Sequence, residues 1–203
     1  NVGVQLKEGG TAEAGAELSI ASLKSTGIVN ITAGNAAATG ASGAAVKATG
    51  AVDLLGGELN FLANPNATTK AAAASADGST KAKTYGALSL ESTTGNVTLG
   101  QAATTDQAAS VLAVKVDKDI SATIKGTNVN VKNATFANEG VLTLEANQVA
   151  FASDYTKGAG NDGQLTVSGA STFSGNVNVD SVKVGVGGRG GFYTNARVKI
   201  GHW

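Results

Sequence analysis

The chain lacks cysteine and methionine, and its single histidine, His202, lies next to its last residue. Without cysteine there is no disulfide, no thiolate metal site and no cysteine nucleophile. A Ser-His-Asp triad or a histidine-based zinc site would depend on His202 alone, and a side chain at a chain end is poorly held for catalysis. The sequence therefore predicts a protein that is not an enzyme.

Net charge, aromatic residues and long apolar runs are scarce as well. The 15 Lys and Arg residues balance 15 Asp and Glu residues, so no basic excess favours nucleic acid or an anionic membrane. No stretch approaches the ~20 consecutive apolar residues of a membrane span. Aromatic residues make up 4% of the chain, which is too few for the sugar-stacking platforms of a polysaccharide-cleaving enzyme. We expect no nucleic-acid partner and no membrane insertion.

What the chain does contain is one short motif, repeated from about residue 120 to residue 184. Each copy has two or three alternating apolar residues followed by a small or polar turn. The copies are ATIKG (122–126), VNVKN (129–133), LTLEA (142–146), VAFAS (149–153), LTVSG (165–169) and VNVDS (177–181). Residues two apart face the same side of a strand, so each copy predicts a short strand with one buried face.

The motif also recurs at longer range, in two sets offset by 20 and then 23 residues. The sets are Ile124, Leu144 and Val167, and Val129, Val149 and Thr172. A strand–turn–strand unit of this period is typical of a stacked coil of β-structure. We therefore expect an all-β protein, with a right-handed parallel β-helix (a β-solenoid) favoured and a β-sandwich or jelly roll as the alternative.

Composition divides the chain into four regions. Residues 1–64 read as an N-terminal β region with an amphipathic terminal strand, and residues 65–85 as a loop. Residues 86–184 form the repetitive β region, and residues 185–203 a glycine-rich hinge with a C-terminal strand. Within the first region, AVDLLGGELNFLAN (51–64) is predicted to be a hairpin, because Gly56-Gly57 supplies the backbone torsions of a primed turn.

Three longer segments resemble the passenger regions of filamentous-haemagglutinin-type adhesins and autotransporters. They are GALSLESTTGNVTLG, GVLTLEANQVAF and GQLTVSGASTFSGNVNVDSVKV, all within residues 86–184. The resemblance implies an extracellular, right-handed parallel β-helix displayed at a cell surface.

Three aspartates are the candidate metal ligands, for calcium. Asp162 lies in GAGNDGQL (158–165), which is similar to one copy of the calcium-binding nonapeptide of RTX proteins, and Asp117 and Asp119 flank Lys118. Calcium takes six to eight oxygens, so ordinary turns are the competing interpretation at both places. No cofactor is expected, with calcium left open. Asn66, in an Asn-x-Thr sequon, is the most accessible candidate for glycosylation.

Two functional hypotheses remain, and both are extracellular and non-enzymatic. In the first, the chain is a processed subunit that polymerises with identical copies into a filament, sheath or surface layer, by strand exchange or edge pairing. The alternating residues at the two ends would mediate the contact: Val2, Val4, Leu6, Val198, Ile200 and Trp203. In the second, the chain is a fragment of an adhesin, a stalk that presents loops to a host or surface ligand.

Overall fold

The computed structural model describes residues 4–6, 16–33, 43–63, 85–156, 161, 163–179, 183–185, 192–194 and 198–200. Within these residues the protein is all-β, with no helix. The first ten strands are β1 (Val4–Leu6), β2 (Ala16–Ile20), β3 (Leu23–Ser25), β4 (Ile28–Thr32), β5 (Ala44–Ala48), β6 (Val52–Leu54), β7 (Gly57–Leu62), β8 (Leu88–Ser92), β9 (Val97–Leu99) and β10 (Leu112–Val116). The remaining strands are β11 (Ser121–Lys125), β12 (Asn128–Val131), β13 (Ala134–Asn138), β14 (Val141–Phe151), β15 (Tyr155–Thr156), β16 (Gln164–Phe173), β17 (Val177–Val179), β18 (Lys183–Gly185), β19 (Phe192–Thr194) and β20 (Val198–Ile200).

The described strands form three sheets, and from β1 to β11 each pairs with the strand three further along the chain. One sheet has five strands in the order β1-β4-β7-β10-β13. A 12-stranded sheet contains two rows, β2-β5-β8-β11 and β3-β6-β9-β12, which are joined because β14 and β16 each extend through both rows; β18 and β19 complete it. The third sheet is β15-β17-β20. The chain thus runs through three strand positions in turn, and each passage through them is one coil of the stack.

Every pair of strands that the structure describes is parallel. An antiparallel contact occurs between single residues, Gln101 and Ser110, outside the strands. A sandwich or jelly roll is built from antiparallel neighbours, which the described strands do not have. The parallel pairing extends across residues 1–64 and 86–184, because β5 pairs with β8 and β7 with β10.

The hairpin predicted over residues 51–64 is wrong. β6 pairs with β3 and β9, whereas β7 pairs with β4 and β10, so the two strands belong to different sheets. Gly57 does have a positive φ of 78°, but it turns the chain through a corner and does not reverse it. A Cβ at Gly57 would lie 2.1 Å from the carbonyl oxygen of Gly27, so this corner packs directly on the one beside it.

The core is a set of apolar rows, one residue from each coil. Ile124, Leu144 and Val167 occupy one row as predicted, and all three are buried. The second predicted row is confirmed for Val129 and Val149. Side chains alternate between the core and the outer surface along these strands, which explains the period-2 pattern in the sequence.

Thr172 does not occupy the second row. Its register partner in β14 is Ala150, and Ser171 is the residue beside Val149. The reason is a bulge in β14 between Glu145 and Gln148, which places an extra residue on that strand relative to β16. Ser171 is therefore buried, and Thr172 lies on the exposed side of the strand.

Candidate functional site

Asp117 and Asp119 lie in the turn between β10 and β11. Both carboxylate oxygens of Asp117 have partners: Oδ2 accepts a hydrogen bond from the Ala63 backbone N–H at 3.0 Å, and Oδ1 lies 3.2 Å from Lys115 Nζ. In the part of the chain that is described, no group of three or more His, Cys, Asp or Glu side chains could hold a metal. The geometry therefore gives Asp117 a structural contact, and Asp162, the third candidate, lies outside the described residues.

Asp119 has a positive φ of 65°, a conformation that costs an L-residue roughly 1–2 kcal/mol and that glycine adopts without strain. We predict that Asp119→Gly raises the free energy of unfolding by about 1 kcal/mol, measured by urea denaturation. Asp119→Val should lower it, because a β-branched side chain tolerates this conformation least. A glycine variant less stable than the natural chain would contradict this interpretation.

Asn161, the neighbour of Asp162 in the calcium-like motif, holds a connection together. Its Oδ1 accepts a hydrogen bond from the Asn138 backbone N–H at 2.9 Å, and its Nδ2 donates to the Thr156 carbonyl at 3.0 Å. The side chain thus supports β13 where the five-stranded sheet ends. Both polar ends of Asn161 are occupied within the chain.

Asn138, at the end of β13, is the most extensively bonded polar side chain described. It is 1% exposed, and its Nδ2 donates to Tyr155 Oη at 2.9 Å and to the Gln164 carbonyl at 3.1 Å. Its Oδ1 accepts from the Gly140 backbone N–H at 3.1 Å. Asn138 therefore links β13 to the turn at Gly140, to β15 through Tyr155 and to β16 through Gln164. It lies where the five-stranded sheet ends at β13 and the three-stranded sheet begins at β15.

Tyr155 is buried beneath this hydrogen bond. Burial raises the pKa of its phenol above the ordinary value of 10.0, while the hydrogen bond from Asn138 opposes part of the rise. A folded pKa above the unfolded one means that the native state holds the phenolic proton more tightly. The resulting stability is complete below pH 10 and is lost as pH rises through the folded pKa.

We predict that the melting temperature of the natural chain falls more steeply above pH 10 than that of Tyr155→Phe. The phenylalanine variant should be less stable at pH 7, because it loses one buried hydrogen bond, but should have the flatter alkaline profile. Thermal melts of both proteins from pH 7 to pH 11 compare the slopes directly, since every other titrating group is shared. Parallel profiles would show that Tyr155 does not contribute.

Aromatic rings from successive coils stack beside Asn138. The ring centroid of Phe151 lies 5.2 Å from that of Phe136 and 5.4 Å from that of Phe173, both at an interplanar angle of 26°. Tyr155 meets Phe151 edge-on at 6.4 Å. Few as they are in the sequence, the aromatic residues here are concentrated in one part of the core.

A shallow groove of about 390 Å³ runs over the outer face of β7, β10 and β13. Small side chains, Ala113 and Ala137, help to line it. Among its polar groups, Asn60 Nδ2 donates to Glu58 Oε2 at 3.1 Å and to Asn30 Oδ1 at 2.9 Å. These groups are paired with one another.

The outer face of the 12-stranded sheet carries a row of alternating charge that the sequence reasoning missed. Four consecutive register partners on β5, β8, β11 and β14 are Lys47, Glu91, Lys125 and Glu145. Lys125 Nζ lies 3.1 Å from Glu145 Oε1, and Lys47 Nζ lies 2.9 Å from Glu17 Oε2. The sequence contains part of the signal for this row of charges, because Lys125 and Glu145 are separated by the same 20 residues as Ile124 and Leu144.

The residues proposed for self-assembly lie at sheet edges wherever they are described. Val4 and Leu6 pair with Val29 and Ile31 of β4, and Val198 and Ile200 belong to β20, which pairs with β17. No described strand pairs with the outer edge of β1 or of β20. Val2 and Trp203 lie outside the described residues, as does Asn66.

Three long connections between strands arise at one corner of the stack. Residues 7–15, 33–43 and 63–87 link β1 to β2, β4 to β5 and β7 to β8. Because the strands before these segments are neighbours, and so are the strands after them, the three connections begin and end side by side. Insertions in repeat proteins commonly cluster on one face in this way.

Comparison with protein-family models, with curated proteins and with solved structures finds no match to this chain. The described residues also contain no helix of the length and apolar character needed to cross a membrane. The fold class is that of an all-β protein of stacked parallel strands.

Proposed function

We propose that this chain is a non-enzymatic, extracellular structural protein, a self-assembling subunit of a filament, sheath or surface layer. The proposed fold is a right-handed parallel β-helix. The repeated use of three strand positions supports a helix, and parallel strands joined by crossovers are right-handed in nearly all proteins. The resemblance of residues 86–184 to adhesin passengers supports the extracellular location.

The observation that carries this proposal is the strand edge at each end of the stack. β1, β2 and β3 have a described partner on one side, as do β18, β19 and β20. A sheet edge is a template for pairing with another chain. In a parallel stack the two ends differ, so pairing the last coil of one copy with the first coil of the next is head-to-tail and can repeat without limit.

Edge pairing is favoured over strand exchange. β1 pairs with β4 of its own chain through Val4, Gln5 and Leu6, so an exchange would first have to break those hydrogen bonds. Edge pairing adds hydrogen bonds at the ends of the stack without inserting β1 into a neighbouring copy. Edge pairing and strand exchange therefore predict different assembly behaviour for a chain that lacks β1.

The experiment is negative-stain electron microscopy of the purified protein, with sedimentation velocity over a range of concentrations. Regular fibres or sheets are expected. Particles that stay monomeric at high concentration would contradict the proposal. Deletion of residues 1–10 separates the modes, since strand exchange through β1 would be abolished, whereas edge pairing through the 12-stranded sheet would persist.

The second candidate is a β-helical stalk of a surface adhesin. It is favoured by the three long connections at one corner, residues 7–15, 33–43 and 63–87, which a stalk would present together. Beads coated with the protein should then adhere to a subset of cell or polysaccharide surfaces. Replacing residues 64–84 by a short Gly-Ser linker should abolish that adhesion without altering the circular dichroism spectrum, and unchanged adhesion would exclude this connection as the binding element.

A further inference from the structure

Of the three described sheets, the 12-stranded sheet alone has strands at both ends of the stack. It begins with β2 and β3 and finishes with β18 and β19. The five-stranded sheet stops at β13, and the three-stranded sheet starts at β15. A joint that extends one sheet from copy to copy is therefore available only through β2, β3, β18 and β19 among the described strands.

One register row of this sheet has residues of opposite charge at its two ends. From the first coil to the last, the row consists of Glu17, Ala45, Ser89, Thr123, Thr143, Thr166 and Lys183. The five residues between the ends are uncharged. If the row continued into a second copy in the same register, Lys183 would lie across from Glu17.

The adjacent register row is apolar at every position. It consists of Leu18, Val46, Leu90, Ile124, Leu144, Val167 and Val184. Val46 is fully buried, whereas Leu18 on the terminal strand is only partly so, as are Ile20 and Leu23. The first coil thus presents incompletely covered apolar side chains at the end of the stack, which another coil would bury.

We propose that copies of this chain join head to tail through the 12-stranded sheet, with β18 of one copy pairing in parallel with β2 of the next. The register sets Lys183 across from Glu17, Val184 across from Leu18 and Gly185 across from Ser19. This inference rests on the proposed self-assembly and adds the identity of the joining strands, their direction and their register. This joint excludes pairing between β20 and β1, because β20 of one copy takes the position beside β4 of the next copy that β1 would otherwise hold, so β1 is displaced at the joint.

The absence of cysteine allows a direct test by engineered disulfides. Adjacent strands lie about 4.8 Å apart, and a disulfide needs Cα atoms roughly 4.4–6.8 Å apart. The doubly substituted chain Ser19→Cys/Gly185→Cys should therefore crosslink into a ladder of oligomers on a non-reducing gel after mild oxidation. Reduction should return the ladder to a single band.

Two control variants fix the direction and the register. Ser19→Cys alone should give no ladder, and disulfide-linked dimers from it would indicate head-to-head contact. Ser19→Cys/Ser168→Cys should also stay monomeric on the gel, because Ser168 lies on β16, between β14 and β18, and not at the end of the sheet.

The charge pair has a separate readout. Lys183→Glu would place two carboxylates across the joint and should raise the critical concentration for assembly about fivefold, since directly opposed like charges are destabilising. Adding Glu17→Gln should bring that concentration back toward its original value. An unchanged critical concentration in Lys183→Glu would overturn the proposed register.

The outcomes separate this inference from the function on which it rests. A ladder from Ser19→Cys/Gly185→Cys, absent in both controls, supports the head-to-tail joint. Fibres or sheets that form without any ladder overturn the joint and leave self-assembly standing. A natural chain that remains monomeric at every concentration overturns both.

Discussion

Replacing Asn138 by alanine should lower the free energy of unfolding by about 3–5 kcal/mol, one of the two largest effects expected in this protein. The substitution removes three side-chain hydrogen bonds and leaves their partners, Tyr155 Oη, the Gln164 carbonyl and the Gly140 N–H, in a site where Asn138 is 1% exposed. Each buried polar group without a partner costs about 1–3 kcal/mol. Urea denaturation followed by far-UV circular dichroism measures the loss.

Two variants test whether the amide donor of Asn138 is responsible. Asn138→Asp keeps the size but turns the donor into a carboxylate, so it should be at least as destabilising at pH 7 and recover in part when acid protonates the carboxyl. Thr135→Ala, on the exposed face of the same strand, should change stability by less than about 0.5 kcal/mol. An alanine variant within 1 kcal/mol of the natural chain would show that water replaces the amide.

Phe151→Ala should lower the free energy of unfolding by a similar amount, about 3–5 kcal/mol. Phe151 is 1% exposed and lies between Phe136 and Phe173, so its truncation leaves a cavity in the middle of the stack. Phe151→Leu fills most of that space and should cost about 1 kcal/mol. Because coils contact only their neighbours, hydrogen exchange should speed up first in β13, β14 and β16.

The result that would contradict this prediction is uniform loss of exchange protection from β2 to β16. Uniform loss would mean that all the coils unfold as one cooperative unit. The coils that contain the stacked aromatic rings would then have the same local stability as the others. A loss confined to the strands around Phe151 would instead support stability built from local contacts between neighbouring coils.

Much of the strand pattern could be predicted because burial alternates with residue number along most of the strands, as in β5, β8 and β10. Ile124, Leu144 and Val167 fell into one row on that basis, since the coils around them contain no large insertion. Thr172 was misplaced because a bulge is invisible to a simple offset. The corner at Gly56-Gly57 was taken for a hairpin because a glycine pair fits either turn, and only the pairing partners distinguish them.

The residues that define the ends and the special contacts could not be predicted from local patterns. Asn138 and Tyr155 are 17 residues apart and come together between neighbouring coils. The five-stranded sheet ends there and the three-stranded sheet begins, a change that the sequence repeat does not predict. Lys47 and Glu91 are register partners although a long connection, residues 63–87, lies between their strands. The opposite charges of Glu17 and Lys183, at the two ends of one register row, emerge once seven strands have been placed in one register: β2, β5, β8, β11, β14, β16 and β18.

Helical reconstruction of the assembled protein by electron cryomicroscopy tests head-to-tail assembly most directly. Seven stacked strands at about 4.8 Å each give an axial rise of about 34 Å per subunit when the sheet continues from copy to copy. We predict that rise, with continuous strand spacing through the joint between Lys183 and Glu17. Filaments with a gap in the strand spacing at each joint, or a protein that remains monomeric, would contradict it.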